Sequence, residues 1–369
     1  VICFPIHLNT LTLFRVKEVI LSLNKKYMAN SPKKGLLLVN LGTPDSPTRW
    51  DVYRYLREFL TDARVIDYPW LARQALVQGI IAPLRSGSSA KLYKQLWTPT
   101  GSPLKAYGIK VADGLKEILD DSWHVELAMR YQNPSISDAW KRLKKQNITH
   151  LYVLPLFPQY ASATTGSVHD EVMRILRKEQ SIPGVTFINS YCDYEPMIQI
   201  FADNARKFDI PSYDHILFSY HGLPQRQLKK ADECNHCLKV KDCCLVRSEV
   251  NQFCYSAQCH ATTKAIAKEL DLKEGSYTTT FQSRLGPDKW AQPYTSVVLD
   301  QCAEEGAKKL LVFSPAFVAD CLETLIEISV EYQEEFVEKG GERVDLVPSL
   351  NDDPRWISAI KDLVLSYAK

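Results

Sequence analysis

Residues 309–328 read KLLVFSPAFVADCLETLIEI, and residues 215–226 read HILFSYHGLPQR. Each opens as an apolar run of strand length, rich in leucine, valine, isoleucine or phenylalanine, and ends in side chains that can carry protons or bind metal. The earlier stretch ends at His221–Gly222, where glycine lets the backbone turn sharply and leaves the imidazole beside an open crevice. The later one passes through Asp320, suited to cap a helix N-terminus, to Glu323 in the first turn and Glu327 four residues on. Two strand tips thus bring one imidazole and a ladder of carboxylates towards a common place.

Working outward, similar short runs recur at Gly35–Leu41, Val125–Tyr131, His150–Leu156, Val185–Tyr191, Tyr277–Gln282 and Val344–Leu350, giving eight candidate strands with His215–Tyr220 and Lys309–Ser314. Amphipathic stretches separate them, among them Thr48–Leu60, Lys105–Leu119, Ile136–Lys145, Asp170–Lys178, Thr262–Leu270, Pro293–Gly306 and Glu323–Glu338. Strands alternating with helices imply parallel sheets covered on both faces. The expected fold is therefore α/β: two similar Rossmann-like, doubly wound lobes, each with a parallel four-stranded sheet, and a cleft between them. The lobes are expected at residues 33–195 and 196–369, after an N-terminal extension at 1–32 that is disordered or helical. Met28 stands just before the first strand, so residues 1–27 read as an upstream extension. The second lobe carries a cysteine-rich insertion at 231–260 and a terminal helix. In such sheets ligands lie beyond the carboxyl ends of the strands, where His221 and Glu323 fall.

Composition narrows the function. Lysine plus arginine number 45 against 43 aspartate plus glutamate, a balance that gives no reason to expect nucleic acid as a partner. The apolar run at Val1–Phe14 is broken by Arg15, Lys17 and Glu18 before it could cross a bilayer, and it lacks the flanks of a secretory signal. After the first strand, NLGTPDSP lacks the Gly-x-Gly-x-x-Gly spacing of a dinucleotide site, and no phosphate-binding Gly-x-x-x-x-Gly-Lys-Ser/Thr run occurs. Six of the ten cysteines lie between Cys234 and Cys259, a distribution that points to metal in a reducing compartment, the cytoplasm, rather than to disulfides.

Seven ordered blocks together resemble the ferrochelatase family, of the bacterial type: LLLVNLGTPDSP, GSPL at Gly101–Leu104, MRYQNP at Met129–Pro134, PLFPQYASATTGS at Pro155–Ser167, SYHGLPQR, FQSRLGP at Phe281–Pro287, and ADCLETLIEI. The resemblance runs from about Gly35 to the C-terminus. It implies a lyase that inserts ferrous iron into protoporphyrin IX, forming protoheme with release of two protons in a cleft between two lobes. It also implies that His221 and Glu323 are the central catalytic pair and that both touch the substrate iron. Arg130, Tyr131, Ser283 and Trp290 match the family's pocket residues, and Arg85 and Tyr93 fall in Leu84–Leu96, the segment matching its substrate-covering lip. Cys321 departs from the histidine that many relatives carry there.

The chemistry suits these residue types. Metallating a porphyrin removes two pyrrole protons, and imidazole, with an ordinary pKa of about 6.5, is a base largely neutral near pH 7. A carboxylate at Glu323 can accept or relay a proton, and Glu327 and Glu331 continue that face as an exit path or a path attracting iron; imidazole and carboxylate are also reasonable ligands for ferrous iron. Taken singly these features are bland: an isolated buried histidine is most often a satisfied core residue, and an acidic helix face is usually solvated. Arg130 alone would serve equally as a structural ion-pair partner.

Between the His221 motif and Thr262 runs ADECNHCLKVKDCCLVRSEVNQFCYSAQCHATT, a segment that shorter ferrochelatases lack in large part. Cys234, Cys237, Cys243, Cys244, Cys254 and Cys259 supply more thiols than the four needed for a [2Fe–2S] cluster, with structural zinc as the alternative. Adjacent thiols seldom share an iron, so at most one of Cys243 and Cys244 is expected to ligate. An apolar lip around Trp70–Leu84 suits a greasy substrate and peripheral contact with a membrane surface. Rival readings are a chelatase for another tetrapyrrole or metal, and a non-enzymatic heme or iron sensor.

Overall fold

The computed structural model describes residues 32–284 and 286–368. All but Pro32 of the expected N-terminal extension lies outside these residues. Eight strands are present: β1 Lys34–Gly42, β2 Trp123–Tyr131, β3 His150–Pro155, β4 Gly184–Phe187, β5 His215–His221, β6 Tyr277–Gln282, β7 Lys309–Phe313 and β8 Arg343–Leu346. They form two all-parallel sheets, ordered β2-β1-β3-β4 and β6-β5-β7-β8. The second order repeats the first, so one winding scheme is used twice. In each sheet the direction of winding reverses between the first strand and the third, and that reversal opens a crevice at the carboxyl ends. In the second sheet the crevice lies between β5, which ends at His221, and β7, which leads to Glu323.

Residues Leu36–Val39 of β1 are buried on both faces, which is why this strand reads as an unbroken apolar run rather than an alternating one. The edge strands β4 and β8 are shorter than the sequence reading. At their ends Ile188 and Val347 each still donate one backbone bond to a neighbour, to Val153 and Val312, before the chain turns away.

One continuous core joins the two sheets. Leu36, Leu38, Leu127 and Leu154 of the first belong to the same buried cluster as Phe218, Tyr220, Leu311 and Phe313 of the second. The helices Pro103–Ile118, Glu195–Ala205, Tyr255–Glu269 and Pro354–Ser366 contribute to it. Glu195–Ala205 begins at the expected boundary between the lobes: Pro196 sits in its first turn, where the missing N–H is harmless, and Met197 and Phe201 are buried. The last helix crosses back onto the first half so closely that a Cβ on Gly114 would stand 2.7 Å from Ile357. Smaller clusters cover the outer faces of each sheet.

The stretch Glu323–Glu338 departs from the α-helix its pattern predicts. Residues Glu323–Tyr332 are π-helical and only Gln333–Glu338 is α-helical. Wide helical turns of this kind concentrate at functional positions. Gln282, at the tip of β6 and nearly fully buried, holds this helix to the sheet. Its side-chain NH2 donates to the Glu323 carbonyl at 3.1 Å and to the Glu327 carboxylate at 3.0 Å, while its side-chain oxygen accepts from Ser219 at 2.7 Å.

Replacing Gln282 by leucine keeps the bulk but strands these partners in a buried setting. Urea titration is expected to show a loss of about 1–3 kcal/mol in unfolding free energy; an unchanged midpoint would mean that the amide does not hold the helix to the sheet.

Candidate active site

His221 ends β5 half-buried. Its Nδ1 lies 2.8 Å from the carbonyl of Gly222. A carbonyl only accepts, so Nδ1 carries the proton and Nε2 is left with the free lone pair. The Trp290 indole lies 6.4 Å from the imidazole, ring centre to ring centre. Glycine at 222 serves close approach rather than a left-handed turn. A Cβ there would meet the Gln282 carbonyl at 2.9 Å and the Trp290 ring at 3.2 Å, where the Gly222 N–H now bonds that carbonyl at 2.8 Å.

Gln282 is thereby the joint of the site. Its backbone pairs with His221 and Gly222, and its side chain holds Glu323 and Glu327. The main chains of His221 and Glu323 are thus both bonded to this one residue, beyond the carboxyl ends of one sheet. Asp320 does not cap the helix through backbone N–H groups. It accepts from Asn351 at 2.7 Å and from the hydroxyl of Thr324, and so pins the turn to the segment after β8. Cys321 is fully enclosed, and burial first, then the nearby Glu323 carboxylate, drives its thiol well above the ordinary value.

The lip segments meet Glu323 from the other lobe. Tyr55 and Tyr93 are buried, with ring centres 6.4 Å apart, and burial first and then neighbouring charge, Glu323 included, raise both hydroxyls well above the ordinary value. Their cluster also contains Tyr131 and, from the π-helix, Ile326. Arg85 lies exposed on the same helix as Tyr93, Ala82–Leu96.

Arg130 and the hydroxyl of Tyr131, whose ring belongs to this cluster, meet in a polar knot. Arg130 pairs with Asp62 at 2.7 Å and donates to the Ser167 hydroxyl, also at 2.7 Å, while the Tyr131 hydroxyl donates to Asp62 at 2.9 Å. Burial works to raise Asp62, but hydrogen bonds from Ser167 and the Arg64 amide, with the Arg130 charge, outweigh it and lower its pKa. In this structure Arg130 is an ion-pair partner. Ser283 likewise donates to Glu327, whose other oxygen accepts from Tyr332 at 3.2 Å, so Glu327 is an anchored acid rather than a free rung. Glu331 remains on that face, its carboxyl raised by burial and then by Glu327 and Glu334.

The six insertion cysteines divide. Cys234, Cys237, Cys243 and Cys254 line one cavity of about 70 Å³ between the helix Gln225–Lys230 and the segment 249–254. The Asp232 carboxylate accepts the N–H groups of Cys234, His236 and Cys237, and the Leu238 N–H points at the Cys243 sulfur at 3.4 Å. Burial first, then Cys254 and Cys243, push the Cys237 thiol up to about 12. Cys244 and Cys259 lie outside that lining, and Cys259 is fully buried beside Tyr255. The donor set and the N–H···S contact fit a thiolate-bound centre. Among the described residues, however, no three His, Cys, Asp or Glu side chains are drawn closely enough to hold a metal ion.

Asp62, Tyr55 and Tyr255 escaped the sequence reading. Gln282 left one trace, a long polar side chain closing an otherwise buried strand; Asp62 left none in its spacing.

The ferrochelatase family model matches residues 33–368. The ferrochelatase of Coxiella burnetii (strain CbuK_Q154) is 43% identical over 336 residues, covering 90% of this chain and 93% of that protein. That of Legionella pneumophila (strain Lens) is 42% identical over 332 residues, covering 90% and 98%. Among solved structures, SirB from Bacillus subtilis with Fe3+ superposes with a TM-score of 0.50 at 13% identity, over 90% of this chain and 94% of that one, a likeness of fold alone. With the match spanning both sheets and the His221–Gln282–Glu323 joint, this chain belongs to the ferrochelatase family.

Proposed function

We propose that the chain inserts ferrous iron into protoporphyrin IX, giving protoheme and two protons with the iron remaining ferrous. The observation that carries this reading is the joint at Gln282, which pairs with the β5 tip bearing His221 and holds the main chain of Glu323, at the start of the π-helix, at the crevice of the second sheet. His221 uses Nε2 as the base for a pyrrole proton, because Nδ1 is committed to the Gly222 carbonyl. Glu323 takes up the second proton or steadies the incoming iron, and Glu331 continues the acidic face outward. Trp290 beside His221 and Tyr93 near Glu323 are aromatic side chains of the kind suited to a flat macrocycle. Arg85, exposed on the lip helix, and Arg130, beside the lip cluster, are the cations suited to its propionates. Tyr131 and Ser283 act behind them, Tyr131 through Asp62 and Ser283 through Glu327.

In the cysteine excursion, Cys234, Cys237, Cys243 and Cys254 are the residues that would hold a [2Fe–2S] cluster, since these four line one cavity. A four-thiolate zinc site uses the same donors. Iron insertion transfers no net electron, so such a centre serves structure or sensing. Trp70, Leu71, Ile80 and Leu84, each more than half exposed beside the lip, supply a face for peripheral contact with a membrane. No helix among the described residues is long and apolar enough to cross one.

Three outcomes check these readings. Under anaerobic conditions with ferrous iron, His221→Ala is expected to lose turnover at least about a thousandfold while still quenching on porphyrin binding; near-normal disappearance of porphyrin fluorescence would reject the assignment. Anaerobically purified protein is expected to absorb in the visible and to contain labile sulfide. Cys237→Ser abolishes this colour and Cys259→Ser keeps it, whereas colourless protein containing zinc argues for zinc. Phosphatidylglycerol vesicles are expected to sediment the wild type but not the Trp70→Ser/Leu71→Ser double variant, and equal sedimentation would exclude the lip as the contact.

A further inference from the structure

The cysteine excursion and the strand tip bearing His221 are tied together twice. On leaving His221 the chain passes Gly222–Pro224 into the helix Gln225–Lys230, whose Leu228 lines the cysteine cavity. On returning, Cys254 immediately precedes the helix Tyr255–Glu269, and Tyr255 reaches back to the active site. Its ring is buried, and its hydroxyl donates to the His221 carbonyl at 2.9 Å. A phenol has one proton to give. With that proton on the carbonyl, the enclosed Cys259 thiol lies beside a phenol that has no second proton to give it.

The bond falls on a peptide with little freedom. The next N–H, of Gly222, is held by the Gln282 carbonyl, and the Gly222 carbonyl holds the imidazole Nδ1. A change in the tilt of the His221 carbonyl therefore re-aims Nε2, the nitrogen left to act as base.

We propose that Tyr255 is a positioning residue for His221, and that through it the packing of the cysteine excursion sets the alignment of the imidazole. The inference rests on the proposed role of His221 in iron insertion. Tyr255 follows Cys254 directly and begins a four-turn helix, so it cannot stay in place if Cys254 shifts towards or away from the other thiols. The His221 carbonyl registers that shift.

Tyr255→Phe keeps the ring and deletes the hydroxyl. In anaerobic assays with ferrous iron and protoporphyrin, kcat is expected to fall about tenfold or more. KM for both substrates is expected to stay at wild-type values, and the pH midpoint of kcat and the 15N resonances of the His221 ring are expected to move. Wild-type kcat and unmoved resonances would overturn the proposal. Cys254→Ser is expected to lower kcat in the wild type and to have little further effect in the Tyr255→Phe background; losses that multiply independently would overturn the transmission through Tyr255. If Tyr255→Phe does not accumulate folded, Cys259→Ala, which leaves the phenol without its thiol neighbour, is expected to move the same ring resonances, and unmoved resonances there likewise overturn it. Retained turnover in His221→Ala would instead remove the functional reading beneath it, whereas an inert His221→Ala beside a normal Tyr255→Phe would remove only this inference.

Discussion

A single buried amide determines how the site is assembled. Gln282 is enclosed at the end of β6, and a buried amide left unpaired costs as much as the bonds it could make. All its polar groups are engaged. The main-chain carbonyl takes the Gly222 N–H, the side-chain oxygen takes the Ser219 hydroxyl, and the NH2 is shared between the Glu323 carbonyl and the Glu327 carboxylate. Satisfying one residue therefore fixes the β5 tip and the π-helix relative to each other. The Glu323 carbonyl and the Glu327 side chain, one helical turn apart, both face this amide.

The two sheets repeat one topology but divide the labour. The second carries the imidazole and the acid. The first supplies scaffolding: Asp62 gathers Arg130, Tyr131 and Ser167 into a buried knot, and the lip helices bring Tyr55 and Tyr93 against the π-helix. Such a knot holds because every partner is paired; removing Asp62 would leave a buried guanidinium without its counter-charge, a far larger penalty than the pair's own net worth. Gly42 shows how tightly the first sheet is built at that end, with a left-handed φ of +125° and no room for a side chain against the Tyr131 carbonyl.

Much of this architecture is legible in the residues. All eight strands overlap the runs that mark them, most clearly the central β1, β3, β5 and β7, because strands buried on both faces leave a signal that survives without tertiary context. His221 and Glu323 are legible as strand-end polar residues. What escapes the sequence is what depends on partners far along the chain. The pattern at Glu323–Glu338 suits an α-helix, and nothing in it marks that its first ten residues form a wider turn, with Glu327 held by the distant Gln282 and Ser283. Arg130 reads equally as an anion ligand or an ion-pair partner, and only the fold sets Asp62, 68 positions away, beside it. The cysteines were countable, but only the folded excursion separates the four around one cavity from Cys244 and Cys259.

The crossing of the terminal helix over Gly114 bears on how the molecule is made. Leu36, Leu127 and Leu154 share their buried cluster with Trp356, Ile360 and Val364, so the first sheet lacks part of its cover until residues 354–366 have been synthesised. During translation that apolar face emerges from the ribosome long before its final covering segment, and the nascent first half is a natural client for a chaperone.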